Sequence, residues 1–88
     1  MKLFSGSAPA AGTLQQVHNR RGLEKIAVQA SATTSATTEI QGRMGADHTW
    51  LTLATLTDSD GDTVAWFPQM RANVTAVSGQ LEVDLAGN

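Results

Sequence analysis

The sequence predicts an all-β protein, a small antiparallel β-sandwich or open barrel of six to seven strands with an extended N-terminal arm. Residues 39–68 run strand, turn, strand, turn, strand, as EIQGRM, GADH, TWLTLATLT, DSDGD and TVAWFP, with short Gly- and Asp-bearing turns between β-type runs. Two more alternating runs, MRANVTAV and QLEVDL, flank Ser78-Gly79. This spacing of strands, about every eight to twelve residues, is that of a sandwich or barrel. Residues 1–22 read as an arm with one short strand, and residues 23–88 as the sandwich domain.

In chain order, MKLFSGSAPAAG has neither helical nor strand periodicity and carries Pro9 and two glycines, so it reads as an arm. A frayed terminus and an arm ordered by a neighbouring subunit both fit. Leu3 and Phe4 favour the second, because an apolar pair at a chain end is easily buried by a partner. Residues 14–17 form a short strand that leads into a turn, where Arg20 and Arg21 make the one local basic cluster. They are a solvated turn or a contact for an acidic partner, and His18 beside them lacks a second ligand at metal spacing. Leu3, Phe4, Arg20 and Arg21 are thus the candidate partner-binding residues.

Residues 23–30 (LEKIAVQA) alternate Ile26, Val28 and Ala30 against Lys25, Ala27 and Gln29, which predicts a strand. Residues 31–38 (SATTSATT) are polar and of low complexity, a loop in preference to a hairpin tip. In residues 38–44, Gly42 inside a strand points to a bulge or to close approach by a bulky neighbour, with Trp50 the obvious candidate. Residues 45–48 make a turn. Residues 49–57 alternate Leu51 and Leu53 against Trp50 and Thr52, with a register shift expected over residues 54–56.

Asp58-Ser59-Asp60-Gly61-Asp62 resembles the start of a calcium loop, in which alternate carboxylates converge on the ion. Thr63 stands where that loop needs glycine, and Gln69 where it needs a bidentate Glu. A hairpin turn with Gly61 at positive φ is the better reading. In the strand after it Val64 and Trp66 share a face, and Pro68 stops the ladder. Next, Met70, Ala72, Val74 and Ala76 are expected inward, then Leu81, Val83 and Leu85 beyond a hairpin at Ser78-Gly79.

Composition narrows the function classes. The chain has 88 residues, two Phe, two Trp and no Tyr. That is one domain near the lower end of sizes that fold without disulfides or metal, with a core of small residues, so help from neighbouring chains is expected. Six basic and eight acidic residues give a net charge of −2, which offers no field to gather nucleic acid or an anionic membrane. No cysteine is present, so disulfides and thiolate metal sites are excluded. Residues 1–13 do not form a signal peptide, and no apolar run nears the roughly eighteen residues of a membrane helix, so a soluble compartment is expected. Nothing assigns a general acid, base or nucleophile, and no enzyme and no cofactor are expected.

The order IQGRMGADHTWLTLATL, a short turn, TVAWFP, then MRANVTAVSGQLEVDL resembles small β-sandwich proteins encoded among the structural genes of tailed phages. The likeness spans residues 23–86 and departs at Gly45-Ala46-Asp47-His48, where an Asp-Gly turn is usual. It implies a virion component assembled in the bacterial host cytoplasm. A head decoration or cement protein, bound to the major capsid protein as a homotrimer with its arm across the lattice, suits the chain best; a collar, tail or fibre-base subunit is the alternative. The same turn and tryptophan pattern occurs in carbohydrate-binding sandwiches. For that reading Trp50 and Trp66 are the stacking candidates, with Asp47, His48 and Arg71 as polar partners, against a core role for both rings.

Overall fold

The computed structural model describes residues 1–18, 22 and 24–86. Within them the chain is all-β: β1 (Lys2–Gly6), β2 (Ala10–Ala11), β3 (Gln15–Gln16), β4 (Lys25–Ala32), β5 (Ser35–Arg43), β6 (Leu51–Thr57), β7 (Asp60–Ala65), β8 (Gln69–Ser78) and β9 (Leu81–Leu85). Two antiparallel sheets form. Sheet A has the order β1-β9-β4-β7, and sheet B the order β2-β8-β5-β6 with β3 also on β8. Counting β2 and β3 as one interrupted strand, the first strand pairs with the last, the second with the second-last, and so inward to the β5–β6 hairpin. This nested order is that of a jelly roll.

The core lies between the sheets and follows the period-two pattern. Ile26, Val28 and Ala30 of β4, Met70, Ala72 and Val74 of β8, and Leu81, Val83 and Leu85 of β9 are all buried. The inward set on β8 ends at Val74, one alternation before the pattern predicts. Thr37 opposes Ala76 but Thr38 opposes Val74, so Thr75 is an extra residue that turns Ala76 outward and Val77 toward the core. On β6 the extra residue is Leu53, between the Ile40–Ala54 and Gln41–Thr52 pairs, just ahead of the stretch where a shift was expected.

Several further expectations change. The arm is instead the edge strand of sheet A: Lys2 opposes Asp84 and Phe4 opposes Val83, and Leu3, bulged between them, is 2% exposed. Pairing with β9, some eighty residues away, supplies what the local sequence lacks. Residues 31–38 are not a loop, because only Thr33 and Thr34 bend; β5 begins at Ser35, and Ala36 and Thr38 point into the core.

The turns at Asp58-Ser59 and Ser78-Gly79 are corners rather than hairpins, since each joins strands of different sheets. At the first corner the positive φ, 58°, falls on Asp58 and not Gly61. Asp58 Oδ1 accepts from Ala36 N at 3.1 Å, and Ser59 Oγ accepts from Ala32 N and donates to Ala32 O, which locks the corner to the β4–β5 bend. At the second, Gly79 has φ 80°, and a Cβ there would stand 2.5 Å from Thr33 Oγ1, so both backbone and space require glycine. Finally, Gly42 does admit a bulky ring, but that of Phe67 rather than Trp50, 2.8–2.9 Å from where its Cβ would lie.

Candidate functional site

The outward faces of β5 and β8 carry polar residues at every second position, Glu39, Gln41 and Arg43 against Asn73, Arg71 and Gln69. Register sets them opposite one another, so they couple as rungs. Arg43 Nε donates to Gln69 Oε1, Arg71 Nε to Gln41 Oε1, and Asn73 Nδ2 to Glu39 Oε1, each at 2.8 Å. Gln41 Nε2 extends the second rung to Thr52 Oγ1 of β6 at 3.3 Å. Planar amide, guanidinium and carboxylate groups are thereby fixed across three strands.

Trp50 completes this surface. Leu51 opposes Gly42, so the residue before it falls beside Arg43. The guanidinium carbons of Arg43 and Arg71 lie over the Trp50 ring, 4.2 and 4.4 Å from its centroid. Stacking of this kind favours arginine, whose flat cation is weakly hydrated and meets the negative face of the ring. Among the described residues neither guanidinium has a carboxylate at ion-pair distance; the lysine ion pairs there join Lys2 to Glu82 and Asp84. Next in sequence to Arg43 and Trp50 stand Met44 and Leu51, 59% and 53% exposed, two of the three large apolar residues most open to solvent.

The residues singled out from sequence scatter. Leu3 is committed to this chain's own core, and Phe4 packs partly against it, both at the sheet A edge. Arg20 and Arg21 lie outside the described residues. Trp66 is structural: its Nε1 donates to Val17 O at 3.1 Å and its backbone N to Glu24 O at 3.0 Å, which ties the end of β7 to the chain on either side of the β3–β4 connection. Asp47 and His48 sit in the β5–β6 turn, bonded to each other at 3.1 Å and exposed. Of the named polar partners, Arg71 is the one in contact with a tryptophan. Arg43, Gln41, Gln69, Glu39 and Asn73 were not singled out, although their alternation on two strands is the signal that marks them.

Elsewhere, an open hollow of ≈ 390 Å³ on sheet A is lined by Ala27, Gln29, Gly61, Asp62, Asp84 and their neighbours. The carboxylates of the 58–62 turn diverge: Asp58 faces Ala36 N, while Asp60 and Asp62 accept from the next residue's amide at 2.8 and 2.7 Å. Among the described residues no group of three or more His, Asp or Glu gathers in a metal-binding arrangement. The fold and this surface define a small jelly-roll sandwich with one ordered polar face. No family model matches the chain, and comparison with curated proteins and with solved structures finds no match.

Proposed function

We propose that this chain is a non-enzymatic assembly subunit that docks on a partner protein through the outer face of sheet B. The observation that carries the reading is the ladder of fixed planar groups capped by Trp50, whose ring carries two arginines, with exposed Met44 at the same end of the β5–β6 hairpin. Trp and Arg dominate the energy of protein interfaces. Side chains already held in place by hydrogen bonds lose little freedom on binding.

The sequence resemblance supplies the setting: a tailed-phage virion, in which the chain decorates the head as a homotrimer and stabilises the major capsid lattice, with a collar, tail or fibre-base position as the alternative. A jelly-roll order suits that role, since the fold serves capsid and lectin domains alike, though a fold does not by itself fix a function. The test is co-sedimentation of the purified chain with undecorated tailed-phage heads. Saturable binding supports the reading, and a chain that stays in the supernatant of every head tested refutes the virion setting.

Carbohydrate binding is the second reading, and Trp50 on a flat sheet face beside amide and carboxylate groups favours it. Against it, the ring already carries two guanidinium carbons, which a stacking pyranose would have to displace. Titration with neutral oligosaccharides separates the two: a change at the Trp50 indole supports sugar binding, and no change leaves the docking reading.

A further inference from the structure

Arg43 and Arg71 present an unusual electrostatic arrangement. In a chain of net charge −2, two cations are held over one indole ring, so their carbons stand no further apart than the sum of 4.2 and 4.4 Å. Each uses its Nε in the ladder, bonded to Gln69 or Gln41. No side-chain acceptor among the described residues is hydrogen-bonded to their terminal Nη groups, and no carboxylate there neutralises them. Like charges held close to one ring repel, and the repulsion is relieved when an oxyanion binds beside them. Guanidinium Nη groups are suited to that anion, because they offer paired N–H donors in the plane that a carboxylate accepts.

We infer that Arg43 and Arg71, clamped on Trp50, form a paired-guanidinium site for a carboxylate on an acidic surface of a partner protein; the inference deepens the assembly reading and rests on it. Charge complementarity identifies the ligand group. The assembly reading gives the kind of molecule that carries it, a partner protein: Met44 and Leu51, both more than half exposed at the same end of the β5–β6 hairpin, offer apolar area near the site that a protein covers and a polysaccharide does not. Gln41 and Gln69 are positioning residues, since their carbonyl oxygens hold the two Nε groups and leave the Nη groups without a side-chain partner among the described residues.

The test is calorimetric titration of the full chain at low salt with poly-L-glutamate, and separately with polygalacturonate. The variants are R43Q/R71Q, R43K/R71K, and K2Q/K25Q, which removes the same charge from sheet A. The site predicts that wild type and K2Q/K25Q bind poly-L-glutamate alike, that R43Q/R71Q binds about tenfold or more weakly, and that R43K/R71K falls between. Thermal melts of each variant check that the loss is not unfolding; if R43Q/R71Q fails to fold, R43K/R71K, which keeps both charges, carries the test.

Equal losses in K2Q/K25Q and R43Q/R71Q would overturn the site in favour of diffuse charge. Binding of polygalacturonate alone would assign it to an acidic polysaccharide, and a wild-type oligomer that R43Q/R71Q abolishes would assign it to a second copy; either result overturns the inference. Head binding is read apart from this: a chain that binds poly-L-glutamate through the arginines yet ignores heads keeps the site and loses the virion setting, whereas heads bound equally by R43Q/R71Q lose the site and keep the setting.

Discussion

Leu3→Ala tests whether the first residues belong to the fold. Leu3 is 2% exposed, bulged inward from β1 between the Lys2–Asp84 and Phe4–Val83 pairs, and sits in the same core as Leu81, Val83 and Leu85. Truncating a buried leucine costs about 2–5 kcal/mol through lost transfer energy and the cavity left behind. At roughly 0.05–0.15 kcal/mol per residue, an 88-residue domain is held by only about 4–13 kcal/mol, so this one change removes a large part of its stability. With about 4–8 °C per kcal/mol, a loss near 3 kcal/mol lowers Tm by roughly 12–24 °C. The assay is urea and thermal unfolding followed by circular dichroism. A change within about 0.5 kcal/mol of wild type, the size of an ordinary surface substitution, would refute the placement of β1 and restore the segment to a free arm.

Three further outcomes are expected. Thr38 is 0% exposed and its hydroxyl has no hydrogen-bond partner among the described residues, so Thr38→Val removes an orphaned polar group and raises stability by about 1 kcal/mol in urea unfolding; a loss of stability would mean that the hydroxyl is satisfied. Gly42→Ala drives a methyl into Phe67 and destabilises by about 1–3 kcal/mol, and in a cycle with Phe67→Ala the two costs are less than additive. The exposed cluster at the sheet A edge sets a pH dependence. The hydrogen bond to Asp84 holds the Lys2 ammonium above its ordinary value, and the Ser5 hydroxyl, then Gln80 and Lys2, hold the Glu82 carboxyl below its own. Lys2 therefore adds stability that fades as pH rises through its raised value, and Glu82 adds stability that fades as pH falls through its lowered one. Both groups lie at the surface, so the effect is small; urea midpoints against pH should show it at low salt and lose it near ~1 M salt.

Legibility in the sequence followed the range of the interactions. In β4 and β9 each alternate apolar residue faces the same core, and Leu81, Val83 and Leu85 are inward as period two requires. Turn chemistry at Asp58–Asp62 and Ser78-Gly79 marked where the chain reverses. It carried no information on whether the flanking strands pair, and here they pass to opposite sheets. The N-terminal strand was hidden because its partner is the last strand, and a five-residue edge segment near Pro9 has little local preference. The bulge at Thr75 inverted Ala76 for a similar reason, since an extra residue is visible only against the partner strand.

The site divides the same way. Arg71 was paired with a tryptophan on chemistry alone. Arg43 and the glutamine partners emerge only once register sets Arg43 opposite Gln69 and Arg71 opposite Gln41.

The docking surface itself is tested most directly by hydroxyl-radical footprinting of the chain free and bound to heads. Trp50 and Met44, the latter 59% exposed, lie at the end of the β5–β6 hairpin that carries Arg43, while Met1, 37% exposed, lies on sheet A and serves as the internal reference. The account predicts that binding protects Trp50 and Met44 from oxidation and leaves Met1 unchanged. Protection of Met1 with Met44 and Trp50 still open would contradict it and move the interface to the opposite sheet.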